Sequence, residues 1–145
     1  MAKYTIHSTY RGIGAQTMNF DGVHQFISDE PVSSRGTDAG PNPVQYLLGA
    51  VGGCLGATAA WAERKNKQAH IDKFEVTVTG ETVVLPDHSS KVNNIQIKID
   101  CQTNLNKEEQ DKFVEEIIHN CTVHTTLENG VETAIEIVPK AQENV

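Results

Sequence analysis

Two of the three cysteines lie in segments where a thiol could react. Cys54 lies inside the uncharged, glycine-rich stretch 40–61, and Cys121 lies within the segment His-Asn-Cys-Thr-Val-His at 119–124. A thiolate attacks disulfides and is itself oxidised, whereas a buried free cysteine behaves as a small hydrophobe. Both interpretations are open for Cys54 and for Cys121, and the end of a helix before Cys121 favours partial exposure there.

The remaining cysteine and the histidines offer two further interpretations. Cys101 ends a predicted strand with no polar cluster near it, so simple burial is expected. His119, Cys121 and His124 are closely spaced and Cys54 could add a fourth ligand, which makes a metal site an alternative. Their spacing is not that of a standard zinc motif.

Composition limits the partners and the compartment. The chain has 145 residues, one ordinary domain, and a formal net charge of -7. This charge argues against a nucleic-acid partner, which needs clustered Lys and Arg. An odd cysteine count and an N-terminus that lacks the apolar core of a signal peptide predict a cytoplasmic protein without structural disulfides. A membrane partner is not expected either, since much of the apolar stretch is Gly and Ala.

The cysteines need a scaffold, and the N-terminal half predicts its first part. Residues 3–28 read as two or three short antiparallel strands, followed by a loop at 29–43 rich in Pro, Gly, Ser and Asp. A helix is predicted from Val44 to about Asn66, with Pro43 suited to its first turn.

The C-terminal half predicts a hairpin and a second helix. Residues 72–84 and a segment through Ile99 alternate as paired strands do. Asn106 with Glu109 predicts a capping box for a helix that ends near Asn120. A turn or helical stub at 121–128 and a strand at 134–138 complete the expected α+β domain.

Four glycines interrupt the first helix, at positions 49, 52, 53 and 56. Each costs roughly 1 kcal/mol relative to alanine inside a helix. Their four-residue spacings allow another backbone to approach closely. We therefore expect this helix to be enclosed, either by the sheet or by a second copy of the chain.

The segments GPNPVQYLLGAVGGC and IIHNCTVHTTL together resemble the OsmC/Ohr family. The resemblance extends over essentially the whole chain and is closest to the divergent OsmC-like branch. It implies a single OsmC-like domain at 1–145, with antiparallel sheets, a long buried central helix and an intertwined homodimer.

The resemblance also implies an activity, the thiol-dependent reduction of organic hydroperoxides with no cofactor. Cys54 would be the nucleophile, Cys121 the resolving cysteine, and a small or protein-borne dithiol the reductant. The residues expected to contact the apolar part of the peroxide are Gln45, Tyr46, Leu47 and Val51.

An arginine is implied beside the thiolate. Arg35 in the loop before the helix is the candidate, and Arg11 in the first turn is the substitute. Many family peroxidases place a glutamate after the Asn-Pro dipeptide, where this chain has Val44 and then Gln45. His124 replaces a residue of the usual second motif and could help to ionise the neighbouring thiol.

These departures keep a second class of function open. A protein with this fold and no turnover could sense oxidation or bind a small apolar ligand. Peroxide consumption in the presence of a dithiol distinguishes the two, because a sensor would be oxidised once and then stop.

Overall fold

The computed structural model describes residues 1–141 and contains small antiparallel sheets and three α-helices. The strands are β1 (His7–Tyr10), β2 (Thr17–Phe20), β3 (Gln25–Ser28), β4 (Ile71–Val84) and β5 (Ser90–Thr103). The α-helices are α1 (Pro43–Lys65), α2 (Lys107–His119) and α3 (Thr122–Asn129), and a short 3-10 helix covers Val32–Ser34. The predicted α+β class is confirmed.

The first sheet has the antiparallel order β1-β2-β3. Asn19 on the central strand is buried and connects its neighbours. It accepts a hydrogen bond from the Ser8 hydroxyl at 2.6 Å and donates to the Phe26 carbonyl oxygen at 3.2 Å. Three strands therefore form in the segment where two or three were predicted.

The loop after β3 is held together by Asp29, whose residue surface is 1% exposed. Its carboxylate accepts hydrogen bonds from the backbone N–H groups of Ala15, Glu30, Thr37 and Ala39 and from the Thr37 hydroxyl. A Cβ at Gly36 would lie only 1.8 Å from the Glu30 carbonyl oxygen, so the tight fold of this loop requires glycine.

Helix α1 begins and packs as its sequence dictates. Asn42 and Gln45 form a complete capping box around Pro43. One side is buried against β4, α2 and α3 through Val51, Leu55, Ala59 and Ala62. Within residues 1–141, no helix combines the length and the apolar character needed to cross a bilayer.

The opposite side of α1 is open in the single chain. A Cβ added at Gly49, Gly53 or Gly56 would meet nothing within 4 Å, and one at Gly52 would lie 3.8 Å from a Val78 methyl. The sheet therefore encloses only one side of the helix. Cover by a second copy, the other expectation, stays a prediction.

The second half of the chain completes the core. β4 and β5 form a long antiparallel hairpin, and Asn106 and Glu109 make the predicted capping box of α2. Phe113 and Ile117 of α2 are buried beneath α1.

The strand predicted at 134–138 is wrong for the single chain. No strand is assigned between residues 130 and 141, and Ile135 and Ile137 are more than 80% exposed. The sequence pattern there suits a strand, but strand hydrogen bonds need a neighbour, and the described part of the chain offers none at this position.

Candidate functional site

Two helices bring Cys54 and Cys121 together. Cys54 lies near the middle of α1, and Cys121 is the N-cap of α3, two residues after α2 ends. Cys54 packs against the buried cluster that contains Cys121, and each thiol shifts the pKa of the other, although 67 positions separate them along the chain. Among the described residues all three cysteines are free thiols.

The surroundings of Cys54 favour its thiolate. Partial burial acts to raise its pKa, but hydrogen bonds from the Val123 N–H, the Cys121 thiol and the Thr122 N–H outweigh that effect. The net result is a Cys54 pKa below its ordinary value. The Thr58 hydroxyl donates instead to the Cys54 carbonyl oxygen at 2.8 Å.

Two of these donors are the first backbone amides of α3. The N–H groups of Thr122 and Val123 lie in the first turn, where an α-helix has no acceptor of its own for them. They carry the partial positive charge of the helix N-terminus, which stabilises a nearby anion. The sequence predicts free backbone N–H groups near Cys121, after the end of α2, but no sequence signal indicates that they face Cys54.

Cys121 has the opposite tendency. Its burial raises its pKa most, the backbone N–H of His124 lowers it, and both the hydrogen bond to Cys54 and the charge of Cys54 raise it. The net direction is upward, so the shared proton belongs to Cys121. His124 contributes through its backbone amide.

Neither candidate arginine hydrogen-bonds to Cys54 within residues 1–141. Arg35 caps the 3-10 helix at φ 66° with an exposed side chain, and Arg11 donates to the Gln16 side-chain oxygen at 2.9 Å. Gln45 is engaged in the capping box, where its side-chain oxygen accepts the Asn42 N–H at 2.8 Å.

An open apolar groove lies beside the first turns of α1, with a volume of about 910 Å³. Tyr46 is fixed in it by a hydrogen bond from its hydroxyl to the Ile27 carbonyl oxygen at 2.6 Å. Ala50, one of its lining residues, is one helical turn before Cys54, on the same face of α1. The lining residues are Phe26, Pro41, Gln45, Tyr46, Leu47, Gly49 and Ala50.

The groove contains three of the four residues expected to contact the peroxide. Gln45, Tyr46 and Leu47 line it, but Val51 does not. Val51 is 0% exposed and packs in the core, because it projects from the inner face of α1.

The other thiol and the histidines form no further centre. Cys101 is buried on β5, and burial raises its pKa, as suits an unreactive thiol. Within the described residues, no group of three or more His, Cys, Asp and Glu side chains is arranged to hold a metal ion.

Comparison with known proteins gives one family. The family described as "OsmC-like protein" matches residues 36–136. No curated protein matches the chain.

Among solved structures, an OsmC-like protein from Mycoplasma pneumoniae is 23% identical, with 88% of each chain covered and a TM-score of 0.76. Organic hydroperoxide resistance proteins are also similar. The one from Legionella pneumophila is 14% identical, covers 88% of this chain and 90% of its own, and has a TM-score of 0.67. The one from Elizabethkingia anophelis is 14% identical, covers 89% and 91%, and has a TM-score of 0.64. These likenesses show the fold, and the match over residues 36–136 shows that the chain belongs to the OsmC-like family.

Proposed function

We propose that the protein is a thiol peroxidase that reduces organic hydroperoxides, with Cys54 as nucleophile and Cys121 as resolving cysteine. The observation that carries this proposal is the contact between two thiols whose pKa values are shifted in opposite directions. A pair with one thiolate and one protonated thiol has the nucleophile and the partner that a two-cysteine reaction needs.

The reaction follows from this pair. The Cys54 thiolate attacks the nearer peroxide oxygen, the O–O bond breaks, and the departing alkoxide takes a proton to become an alcohol. Cys54 is then a sulfenic acid. Cys121, as thiolate, attacks the Cys54 sulfur and displaces hydroxide, which leaves as water after protonation. A dithiol reduces the resulting disulfide and is itself oxidised to a disulfide.

The apolar groove suggests the substrate class. Its lining is almost entirely apolar, and Ala50 in that lining is one helical turn before Cys54. An alkyl or aryl group would be desolvated there while the peroxide group extends toward the sulfur. The names of the similar proteins from Legionella pneumophila and Elizabethkingia anophelis agree with this class.

A homodimer belongs to the proposal. The open side of α1 and the exposed Ile135 and Ile137 are surfaces that a second copy would cover. Arg35, which is exposed in the single chain, remains the candidate cation for the thiolate in such an assembly. The reducing cytoplasm is the compartment that suits free cysteines.

The second candidate function keeps the fold without turnover, as an oxidation sensor or a binder of small apolar molecules. Two observations favour it. Gln45 is engaged in the helix cap, and among residues 1–141 neither arginine hydrogen-bonds to Cys54.

Steady-state consumption of cumene hydroperoxide with dithiothreitol separates the two functions. A peroxidase consumes many equivalents per chain, and Cys54→Ser abolishes this, whereas Cys101→Ser leaves it intact. Consumption that stops after one equivalent favours a sensor, and full turnover in Cys54→Ser rules out the proposed nucleophile.

A further inference from the structure

Thr58 lies one helical turn after Cys54 on the same face of α1. Side chains in an α-helix tilt toward its N-terminus, so that of Thr58 extends over the turn that carries Cys54. Thr58 is half-buried, and its hydroxyl donates to the Cys54 carbonyl oxygen at 2.8 Å. Both residues belong to one helix of one chain, so a second copy packed on α1 leaves this relation unchanged.

The Thr58 hydroxyl is a donor for the sulfur as well as for the carbonyl oxygen. Its single hydrogen turns about the C–O bond, and threonine in a helix divides between two χ1 rotamers. Burial acts to raise the pKa of Cys54, and the groups that lower it most belong to residues 121–123. The Thr58 hydroxyl lowers it less. Thr58 therefore supplies a donor from α1 itself, whereas the stronger donors come with Cys121 and the start of α3.

The second step of the proposed reaction moves negative charge onto the oxygen bound to Cys54. The Cys121 thiolate attacks the Cys54 sulfur, an S–S bond forms, and the electron pair of the S–O bond leaves with the oxygen. The attack is in line with the bond that breaks, so the departing oxygen lies on the side of the sulfur opposite Cys121. A donor for that oxygen is therefore expected from an element other than the start of α3.

We propose that the Thr58 hydroxyl donates a hydrogen bond to the oxygen that leaves Cys54 as the disulfide forms, and thereby accelerates the resolving step. This inference rests on the proposed function for the origin of the sulfenic acid. Thr58 keeps its own proton, and the departing hydroxide becomes water with a proton equivalent to the one that Cys121 lost. One thiol and one sulfenic acid thus give one disulfide and one water. A hydrogen bond to an oxygen that gains charge is strongest in the transition state, as catalysis requires.

The first step makes a different demand on the site. When the Cys54 thiolate attacks the hydroperoxide, the charge passes to the departing oxygen that is bonded to carbon, and the nearer oxygen stays on the sulfur. Loss of the Thr58 hydroxyl should therefore slow disulfide formation more than sulfenic acid formation. Thr58→Val is the variant of choice, because valine has nearly the same shape and a similar helix propensity but no hydroxyl.

The test uses the full chain with Cys101→Ala, so that the pair supplies the only thiols. The reduced protein, freed of reductant, is mixed with one equivalent of cumene hydroperoxide in the presence of dimedone, which traps sulfenic acid. Mass spectrometry of samples quenched at successive times quantifies the dimedone adduct and the disulfide. In Thr58→Val we expect the disulfide to form at least about tenfold more slowly than in the parent, while the Cys54 adduct accumulates. With Cys121→Ser added, so that only the first step occurs, Thr58→Val should form the sulfenic acid at nearly the parent rate.

Two variants serve as controls. Thr58→Ser keeps the hydroxyl and should restore the parent rate of disulfide formation. Thr126→Val removes a hydroxyl of the same kind, which donates to the Thr122 carbonyl oxygen at 2.8 Å one turn earlier in α3, and should leave that rate unchanged. Equal disulfide rates in Thr58→Val and the parent overturn the inference. So does equal slowing of both steps in Thr58→Val, or slowing of the same size in Thr126→Val.

Hydrogen peroxide in a second arm separates this inference from the proposed function. It forms the sulfenic acid without using the apolar groove, so the resolving step is timed even in a protein that does not turn over organic hydroperoxides. Slow resolution confined to Thr58→Val in such a protein leaves the inference standing and refutes the proposed function. Turnover with unchanged resolution in Thr58→Val refutes the inference alone. A parent that forms no disulfide with either oxidant overturns both.

Discussion

The Cys54 sulfur receives its stabilisation from backbone amides and a neighbouring thiol, and no charged side chain is needed for its pKa to be lowered. The amides belong to the first turn of α3, directly after Cys121, which occupies the N-cap position without a side-chain capping bond. Cys121 therefore directly precedes the amides that face Cys54 and also supplies the second thiol.

Removing one of these amide donors should make Cys54 less reactive. Thr122→Pro deletes a backbone N–H that donates to Cys54. Thr122 is the first residue of α3, a position where proline is tolerated, and the extended backbone of Cys121 before it (ψ 105°) is compatible with proline. A hydrogen bond to a charged acceptor contributes about 1.5 kcal/mol or more, so alkylation of Cys54 at pH 7 should slow by about tenfold.

The rate of iodoacetamide labelling, followed against pH in the Cys101→Ala background, measures this effect. In Thr122→Pro the inflection for Cys54 should move to higher pH. Thr122→Ala keeps the N–H and serves as the matched control, with a profile like that of the parent. Equal profiles for Thr122→Pro and Thr122→Ala would show that this amide does not stabilise the thiolate.

The loop at 29–42 depends on an ionised Asp29. The hydrogen bonds that its carboxylate accepts hold the pKa of this carboxyl well below the usual range, and the bond from the Thr37 hydroxyl has the largest effect. Because the folded pKa is lower than the unfolded one, near 4, this stabilisation is complete above about pH 5 and is lost as the pH falls toward the folded value. Asp29→Asn should therefore destabilise the protein at neutral pH, and its difference from the parent should shrink in acid.

Urea unfolding at several pH values between 7 and 3 tests this window. Asp111→Asn removes an exposed carboxylate paired with Lys107 and should have a small effect at every pH. A stability difference for Asp29→Asn that stays constant across this range would contradict the assigned role.

Much of this architecture could be predicted from local signals. Both capping boxes and the bounds of α1, predicted at 44–66 and observed at Pro43–Lys65, follow from Asn, Pro and Gln or Glu at fixed spacings. The pairing of Cys54 with Cys121 was available only through the family resemblance. The placement of Val51 in the core depends on which face of α1 meets β4, and the role of the α3 amides depends on how α3 packs against α1. Neither is encoded locally.

Packing between two chains would explain the glycines of α1. Alone, the chain leaves the side bearing Gly49, Gly53 and Gly56 uncovered, and the helix loses roughly 1 kcal/mol at each glycine with no contact in return. A second chain packed against that side would supply the missing contacts.

Gly53→Ala tests the homodimer. In the single chain the new methyl group meets nothing and should stabilise α1. In a dimer, a closely packed second helix would clash with the methyl group, which would weaken the dimer about tenfold or more.

Gly52→Ala is the matched control, because its methyl group would make ordinary contact with Val78 of the same chain. Sedimentation equilibrium should give twice the chain mass of 15.9 kDa for the parent and for Gly52→Ala, with dissociation in Gly53→Ala. A parent that is monomeric at micromolar concentration, or two variants that behave alike, would contradict the proposed interface.

The reactive pair is tested most directly by thiol-specific mass spectrometry of the full chain after one equivalent of cumene hydroperoxide. In the structure Cys54 packs against the buried cluster that contains Cys121, and the buried Cys101 is not a member of that cluster. We expect a disulfide that links the Cys54 and Cys121 peptides, with Cys101 still free. If Cys54 and Cys121 both remain free thiols, or if Cys54 is oxidised to sulfinic acid without any link to Cys121, the proposed two-cysteine reaction is contradicted.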